Sequence, residues 1–281
     1  MNRLELKEHE RKTWAAVAEG WRRRDKLLRK GSAPVTERML DMAGIDAGHW
    51  MLDIASGTGE PAISAAQRIG DSGRVIGTDL VEEMLFVARD KVLEENLTNI
   101  EFRCIDGEEL EFEPASFDAV TIRWGLMFMP EPETCLNHAY RLLKRNGRIV
   151  IACWAAPEHN PFVSILMETL SKYTDIPDPG LDAPGMFAFA DPNRLCGVLE
   201  ATGFTDLAIE YMAINIIEVD DGAAYWAAMQ DIARPVMALA NQLNAETRAA
   251  FVEEIIEIAN GFRVGDTLYM RGTTWIVSGT R

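Results

Sequence analysis

Met51-Leu52-Asp53-Ile54-Ala55-Ser56-Gly57-Thr58-Gly59-Glu60-Pro61 is the stretch whose reading decides the fold. Residues 51–55 form a short apolar run of the kind that becomes a buried strand. Two glycines within three residues then break it, and Pro61 is tolerated in the first turn of a helix that follows. A glycine-rich turn after a strand lets backbone approach a ligand closely, and the helix behind it presents free N–H groups. Gly57-Thr58-Gly59-Glu60-Pro61-Ala62 also fits the dinucleotide pattern G-x-G-x-x-A, so the turn alone leaves the ligand open.

The same rhythm continues downstream. Arg74 to Thr78 reads as a second strand, ending at Asp79. A helix from Val81 carries Met84, Leu85, Ala88 and Val92 on one face. Ile100 to Cys104 is a third strand, ending just before Asp106-Gly107. Phe117 to Arg123 is a fourth strand, Glu133 to Arg145 a helix, and Arg148 to Trp154 a fifth strand. Strands alternating with helices at this spacing predict parallel pairing through right-handed crossovers, hence an α/β doubly wound, mostly parallel seven-stranded sheet.

Upstream, a helix is expected from about Glu8 to Lys30, with Trp14, Val17, Trp21 and Leu28 near one stripe and Gly31 as its C-cap. A second helix follows Pro34 and runs to Gly44. Beyond Trp154, residues 155–190 hold five of the twelve prolines, which marks an irregular insert. Then come a helix from Asp191 to Thr202, a strand from Asp206 to Ile217, helices at about Gly222–Leu243 and Ala245–Asn260, and a strand-like end at Thr273 to Ser278. The expected organisation is a helical lid at 1–46, a ligand-binding core at 47–155, a variable insert at 156–190, and the rest of the core at 191–281 with a helical cap at about 218–262. There is no internal repeat and no low-complexity segment.

Composition narrows the function. The 281 residues are 48% hydrophobic, enough for a large core. Lys and Arg total 28 against 44 Asp and Glu, a net charge of -16. That balance argues against a nucleic-acid partner and against an anionic membrane surface. Arg22-Arg23-Arg24 reads as a solvated helix face. Cys104, Cys135, Cys153 and Cys196 stand apart with no C-x-x-C pair. Glu5, Glu8 and Glu10 interrupt any secretory apolar region, and no apolar run spans a bilayer. A cytoplasmic protein with reduced thiols and no membrane insertion is expected.

Charge separates the possible ligands of the turn. It carries Asp53 and Glu60, with no Lys or Arg between Trp50 and Gln67. A pyrophosphate would be repelled. S-adenosylmethionine, with a sulfonium and an ammonium against one carboxylate, suits an acidic mouth. Asp79 lies 20 residues past Gly59 at a strand end, where an acid can accept both ribose hydroxyls. Asp106-Gly107 could meet the exocyclic amine of adenine or be a solvated turn.

Together these residues resemble the class I S-adenosylmethionine-dependent methyltransferases, particularly the ubiquinone/menaquinone C-methyltransferase-like group (type 11 methyltransferase domain). The likeness covers roughly residues 48–155 and continues through Phe189-Ala190-Asp191-Pro192 and Ala201-Thr202-Gly203-Phe204. It implies a cofactor site of Trp21, Asp53, Ala55, Ser56, Gly57, Gly59, Asp79, Leu80, Met84, Asp106, Gly107, Arg123 and Trp124. Asp53, Ala55, Gly57 and Gly59 would surround the methionine part. Asp79 would hold the ribose, with Leu80 and Met84 against the adenine and Asp106-Gly107 at its edge. Arg123 and Trp124 would close the pocket through backbone and ring contacts, and the helix with Trp14 and Trp21 is similar to an N-terminal lid. Ala55 stands where the group often has glycine, a departure of one small methyl. Met127 and Phe128 replace a His-His pair, so no imidazole base carries over, and Lys144-Arg145-Asn146-Gly147 replaces Lys-Pro-Gly-Gly.

Among the four histidines, His9 and His49 read as surface and His138 as a helix side chain with a partner. His159 follows the fifth strand on the carboxyl-end side and is a weak candidate to touch the acceptor. Met127, Met129, Met167, Met186, Phe187 and Phe189 form an apolar set that either packs the lid or lines an acceptor pocket. Phe162, Tyr225, Trp226 and Met229 are further candidates to shield an apolar ring. No residues have metal-ligand spacing. The expectation is metal-independent methyl transfer to a small, largely apolar acceptor. An NAD(P)-dependent oxidoreductase and a non-catalytic S-adenosylmethionine-binding relative are the alternatives.

Overall fold

The computed structural model describes residues 2–176 and 183–281. Three helices come first: α1 (Arg3–Ala15), α2 (Ala18–Arg23) and α3 (Asp25–Ala43). The alternating core follows as β1 (Trp50–Ile54), α4 (Ala62–Ile69), β2 (Arg74–Asp79), α5 (Glu82–Glu94), β3 (Ile100–Cys104), β4 (Phe117–Arg123), α6 (Pro132–Leu142) and β5 (Leu143–Trp154). After α7 (Pro161–Leu170) and α8 (Pro192–Thr202) come β6 (Thr205–Val219), α9 (Gly222–Ile232), α10 (Arg234–Ala240), α11 (Ala245–Asn260), β7 (Arg263–Val264) and β8 (Thr267–Thr280).

The sheet order is β3-β2-β1-β4-β5-β8-β6. Strands β1 to β5 pair in parallel, and β8 runs antiparallel between β5 and β6. This is the doubly wound class expected, with seven strands on the main path; the two-residue β7, paired to β8, makes an eighth. Strand order reverses between β1 and β4, so a crevice opens at their carboxyl ends, where such sheets bind ligands.

Several boundaries differ from the sequence expectation. The helix expected over residues 8–30 is broken into α1, α2 and the start of α3. Gly31 is not a C-cap but lies buried inside α3, where an added Cβ would sit 2.0 Å from the Ile216 carbonyl oxygen. Close helix–strand packing, not chain termination, requires that glycine. Pro34 is also inside α3, whose C-cap is Gly44 at φ +62°. Strand β5 begins at Leu143, so α6 stops at Leu142, and β8 begins six residues before the expected Thr273. The insert at 156–190 contains a regular helix, α7; Pro177 and Pro179 lie outside the described residues.

One large apolar cluster packs the sheet, and a smaller one gathers Val17, Ala18, Val81 and Met84 with Trp14, Trp21 and Leu80 against them. Helix α1 buries none of its residues. Trp14 meets Trp21 and Phe128 edge-on at 5.8 and 5.3 Å. Ion pairs hold the rest: Arg3 to Glu108 at 3.0 Å and Glu131 at 2.9 Å, and Lys7 to Glu108 at 2.8 Å and to Asp106. On the far side, Tyr225 is fully enclosed and donates to the Phe162 carbonyl at 3.0 Å. Trp226 packs edge-on to Phe251, and Met229 is buried. Among the described residues no helix is long and apolar enough to cross a membrane.

Candidate functional site

The site is built outward from the end of β1. Asp53 is buried, and its Oδ1 accepts from Thr121 Oγ1 at 2.7 Å on the neighbouring β4. Its Oδ2 is buried with no hydrogen-bond partner among the described residues. Loss of water pushes this carboxyl up to about 7, against the pull of the Thr121 and Ser56 hydroxyls. Asp79 ends β2 and closes the turn: Oδ2 accepts from Gly57 N–H at 2.8 Å and Oδ1 from Val81 N–H at 2.9 Å. Each oxygen retains a lone pair for a further donor. Desolvation in the cleft pushes Asp79 up to about 6, opposed by those same N–H groups.

The two glycines of the turn do different things. Gly57 has φ +52°, and an added Cβ would meet nothing within 4 Å, so open space faces it. Gly59 has φ +106°, and its Cβ would press within 2.6 Å of the Ile63 side chain. Ser56 Oγ donates to the Asp53 carbonyl at 3.0 Å and pins the bend. Ala55 adopts φ +58°, a region that disfavours a Cβ. Its methyl is therefore not the negligible departure the sequence suggests. It occupies the space left by Gly125, where an added Cβ would lie 2.3 Å from Ala55 Cβ.

The residues that the resemblance would set against adenine are as follows. Trp21, Leu80 and Met84 share the smaller apolar cluster beside Asp79, and Trp21 Nε1 is buried with no partner among the described residues. Gly107 makes a close approach: a Cβ there would lie 2.8 Å from Met129 Cε and 2.9 Å from Ile54 Cγ2. Asp106 is not a solvated turn, since Lys7 of α1 pairs with Oδ2 and Oδ1 accepts from Glu108 N–H at 2.9 Å.

The remaining expected residues have these surroundings. Trp124, at φ +56°, stacks its ring on Trp154 at 4.2 Å and 10°, and its Nε1 donates to Thr274 Oγ1 at 3.1 Å. The Arg123 guanidinium lies 4.9 Å from that ring and donates to Ser32 and Thr36 of α3. His159 is exposed and faces Tyr211 of β6 at 5.9 Å; none of its described contacts reaches the turn. The mouth is also less purely acidic than its local sequence. Arg29 pairs with Glu60 at 3.2 Å, and Arg123 acts electrostatically on Asp53 and Glu60. Both cations arrive by folding from distant positions. Sequence reasoning missed Arg29, Thr121, Gly125 and Lys7; Thr121 had a usable signal, because it shares a strand face with Arg123 two residues on. Among the described residues no three His, Cys, Asp or Glu side chains come together as a metal-ligand group.

The two raised carboxyls set a pH dependence. Both are acids protonated below about 6 and about 7 in the cofactor-free fold, and both serve a ligand of net positive charge only when ionised. Cofactor affinity should therefore rise with pH through about 6 to 7, with proton release on binding, and level off above. Calorimetric titration across that window in buffers of different ionisation enthalpy checks it; a flat affinity from below 6 to above 7 would remove both groups from the site.

Residues 34–175 match the model of the ubiE/COQ5 methyltransferase family. The chain is 30% identical over 195 residues to the ubiquinone/menaquinone biosynthesis C-methyltransferase UbiE of Cellvibrio japonicus, a match covering 65% of this chain and 78% of that one. Among solved structures it resembles the YcgJ protein of Bacillus subtilis, with TM-score 0.56 and 19% identity over 88% of this chain and 97% of that one. It also resembles phosphoethanolamine N-methyltransferase 2 of Haemonchus contortus, solved with S-adenosylhomocysteine, with TM-score 0.53 and 20% identity over 88% and 52% of the two chains. At these identities the two structures speak for the fold alone.

Proposed function

The chain belongs to the ubiE/COQ5 methyltransferase family, and from that premise we propose that it methylates a small, largely apolar ring acceptor without a metal. It is an S-adenosylmethionine-dependent methyltransferase, which sets aside the NAD(P)-dependent oxidoreductase. The observation that carries the site assignment is the pair of buried polar atoms without partners among the described residues, Asp53 Oδ2 and Trp21 Nε1, together with the open space that faces Gly57. Buried polar groups are normally paired, so these two fit a ligand with its own donors and acceptors. Bound S-adenosylmethionine supplies an electrophilic methyl on a sulfonium.

In this reading Asp79 accepts from the ribose hydroxyls, and Leu80, Met84 and Trp21 cover the adenine. Ala55, Ser56, Gly57 and Gly59 shape the turn around the methionine end, and Asp106 and Gly107 stand at the adenine edge. Residues 1–46 act as a lid over the core at 47–155; the insert at 156–190 and the cap at about 218–262 enclose the acceptor side. Their work is alignment and exclusion of water, so no protein base is needed for an acceptor that is already nucleophilic.

The acceptor class follows from the relative named for ubiquinone and menaquinone biosynthesis. A cavity of about 290 Å³ has Met127, Met129, Ala188 and Phe189 in its wall together with the charged Glu133 and Arg194, so it offers an apolar ring both a surface and polar groups to orient it. The test is transfer from trideuteromethyl-labelled S-adenosylmethionine to a panel of hydroquinones and phenols, read by mass spectrometry. One labelled methyl on a ring carbon is expected. A folded, cofactor-binding protein that labels none of the panel overturns the acceptor class. Turnover should also survive excess EDTA; activity abolished by the chelator and restored by Mg²⁺ overturns metal independence.

A further inference from the structure

Arg22-Arg23-Arg24 reads from the sequence as a solvated helix face, but in the structure all three pair with acids of other helices. Arg22 Nη2 meets Asp90 of α5 at 2.9 Å. Arg23 Nη2 donates to Asp231 Oδ1 at 2.5 Å, and Arg24 Nε to Asp231 Oδ2 at 2.7 Å. Arg24 Nη2 also donates to the Ala227 carbonyl at 3.1 Å. Asp231 stands in the last turn of cap helix α9, where the helix dipole disfavours an acid. Two guanidiniums, one on each carboxylate oxygen, offset that placement. The Asp231 side chain is only 16% exposed, so the bridge is more enclosed than an ordinary surface ion pair.

The backbones approach at the same place. Gly20 is buried in α2, and a Cβ there would lie 2.0 Å from the Asp231 carbonyl oxygen. Asp231 thus meets α2 through its main chain as well as its side chain, and such close packing leaves little room to slide. The next residue of α2, Trp21, belongs instead to the apolar cluster of Leu80, Val81 and Met84, and its buried Nε1 has no partner among the described residues. Helix α2 is six residues long. One short element therefore touches both the cofactor cleft and the cap.

We propose that α2 couples the cofactor pocket to the cap, with Asp231 as the positioning residue of the bridge. A cofactor whose adenine lies against Trp21 fixes α2, and α2 so fixed holds α9 through Gly20, Arg23 and Arg24. A ligand shifts an equilibrium only by its differential affinity for the two states. The Trp21 contact supplies that difference, because it is complete only when α2 is seated. The acceptor side is then held most firmly once the sulfonium is in place, which is when water must be kept out. This rests on the cofactor and cap readings above and adds to them a connection between the two.

The test is amide hydrogen exchange of the full chain with and without saturating S-adenosylhomocysteine. In the wild type, residues 222–232 should exchange at least about fivefold more slowly with the ligand, the lower end of usual coupling between sites, while α8 should not change. Asp231→Asn should speed exchange at 222–232 and bring the ratio of the two states to near unity, with S-adenosylhomocysteine still bound. Asp231→Glu should restore the ratio. A merely structural Asp231 would speed exchange equally in both states and leave the ratio of the wild type, and that result overturns the proposal. So does a wild type that binds the ligand by calorimetry without slowing at 222–232, or with equal slowing at α8, which is global stabilisation. If Asp231→Asn does not fold, Arg24→Gln carries the same expectation from the α2 side. A folded wild type that shows no calorimetric binding removes the cofactor reading, and the coupling falls with it.

Discussion

Replacing Asp79 by alanine weakens binding of S-adenosylhomocysteine by about 10- to 150-fold, the roughly 1.5–3 kcal/mol expected when hydrogen bonds to an ionised acceptor are lost. The residue ends β2 and faces the crevice, and both its oxygens already hold backbone N–H groups of the turn, Gly57 and Val81. The variant would therefore lose the proposed ribose contact and loosen the turn that Asp79 closes. Asp79→Asn, which keeps one carbonyl oxygen but no charge, should fall between. Calorimetry on variants shown to be folded by thermal melting decides. An unchanged Kd in a folded Asp79→Ala protein would remove the residue from the site.

The second large effect is structural and reaches the same loop. Gly125→Ala should destabilise the protein by about 1–3 kcal/mol, the usual range for an extra methyl forced into a packed interior. The new Cβ would lie 2.3 Å from that of Ala55, while its next neighbours stand at an ordinary 3.7 Å. One contact thus accounts for the clash. Ala55→Gly alone should be nearly neutral, because relief of the φ of +58° offsets the entropy that glycine adds to the unfolded chain. The double variant Ala55→Gly/Gly125→Ala should recover most of the lost stability and the cofactor affinity with it. Thermal and urea unfolding of the four proteins forms a double-mutant cycle. Strictly additive losses would mean that the two positions do not share that space.

The fold was legible because its signals are local. The alternation from Met51 to Trp154 places each core strand within a few residues of where it lies, and Asp53, Gly57, Asp79 and Gly107 converge on one crevice because doubly wound sheets place strand ends there. The misreadings come from contacts distant in sequence. Gly31 and Pro34 resemble helix punctuation, yet α3 runs through both because the Ile216 carbonyl packs against Gly31. No local rule reveals that Ala55 depends on Gly125, or that Arg29 and Arg123 offset the charge of the turn. Trp226 and Met229 have the composition of a pocket lining and are buried in the cap, and apolar character alone does not separate wall from core. His159 lies beyond the expected end of β5 but is exposed and meets the Tyr211 ring of β6.

The most direct measurement is the structure of the protein bound to S-adenosylhomocysteine. The account expects the ribose hydroxyls on Asp79, the adenine against Leu80, Met84 and Trp21, and the methionine end at the turn of Asp53 to Gly59. A ligand seated away from the Gly57 turn, for instance in the groove of Leu27, Pro34 and Met212 between α3 and β6, would contradict it.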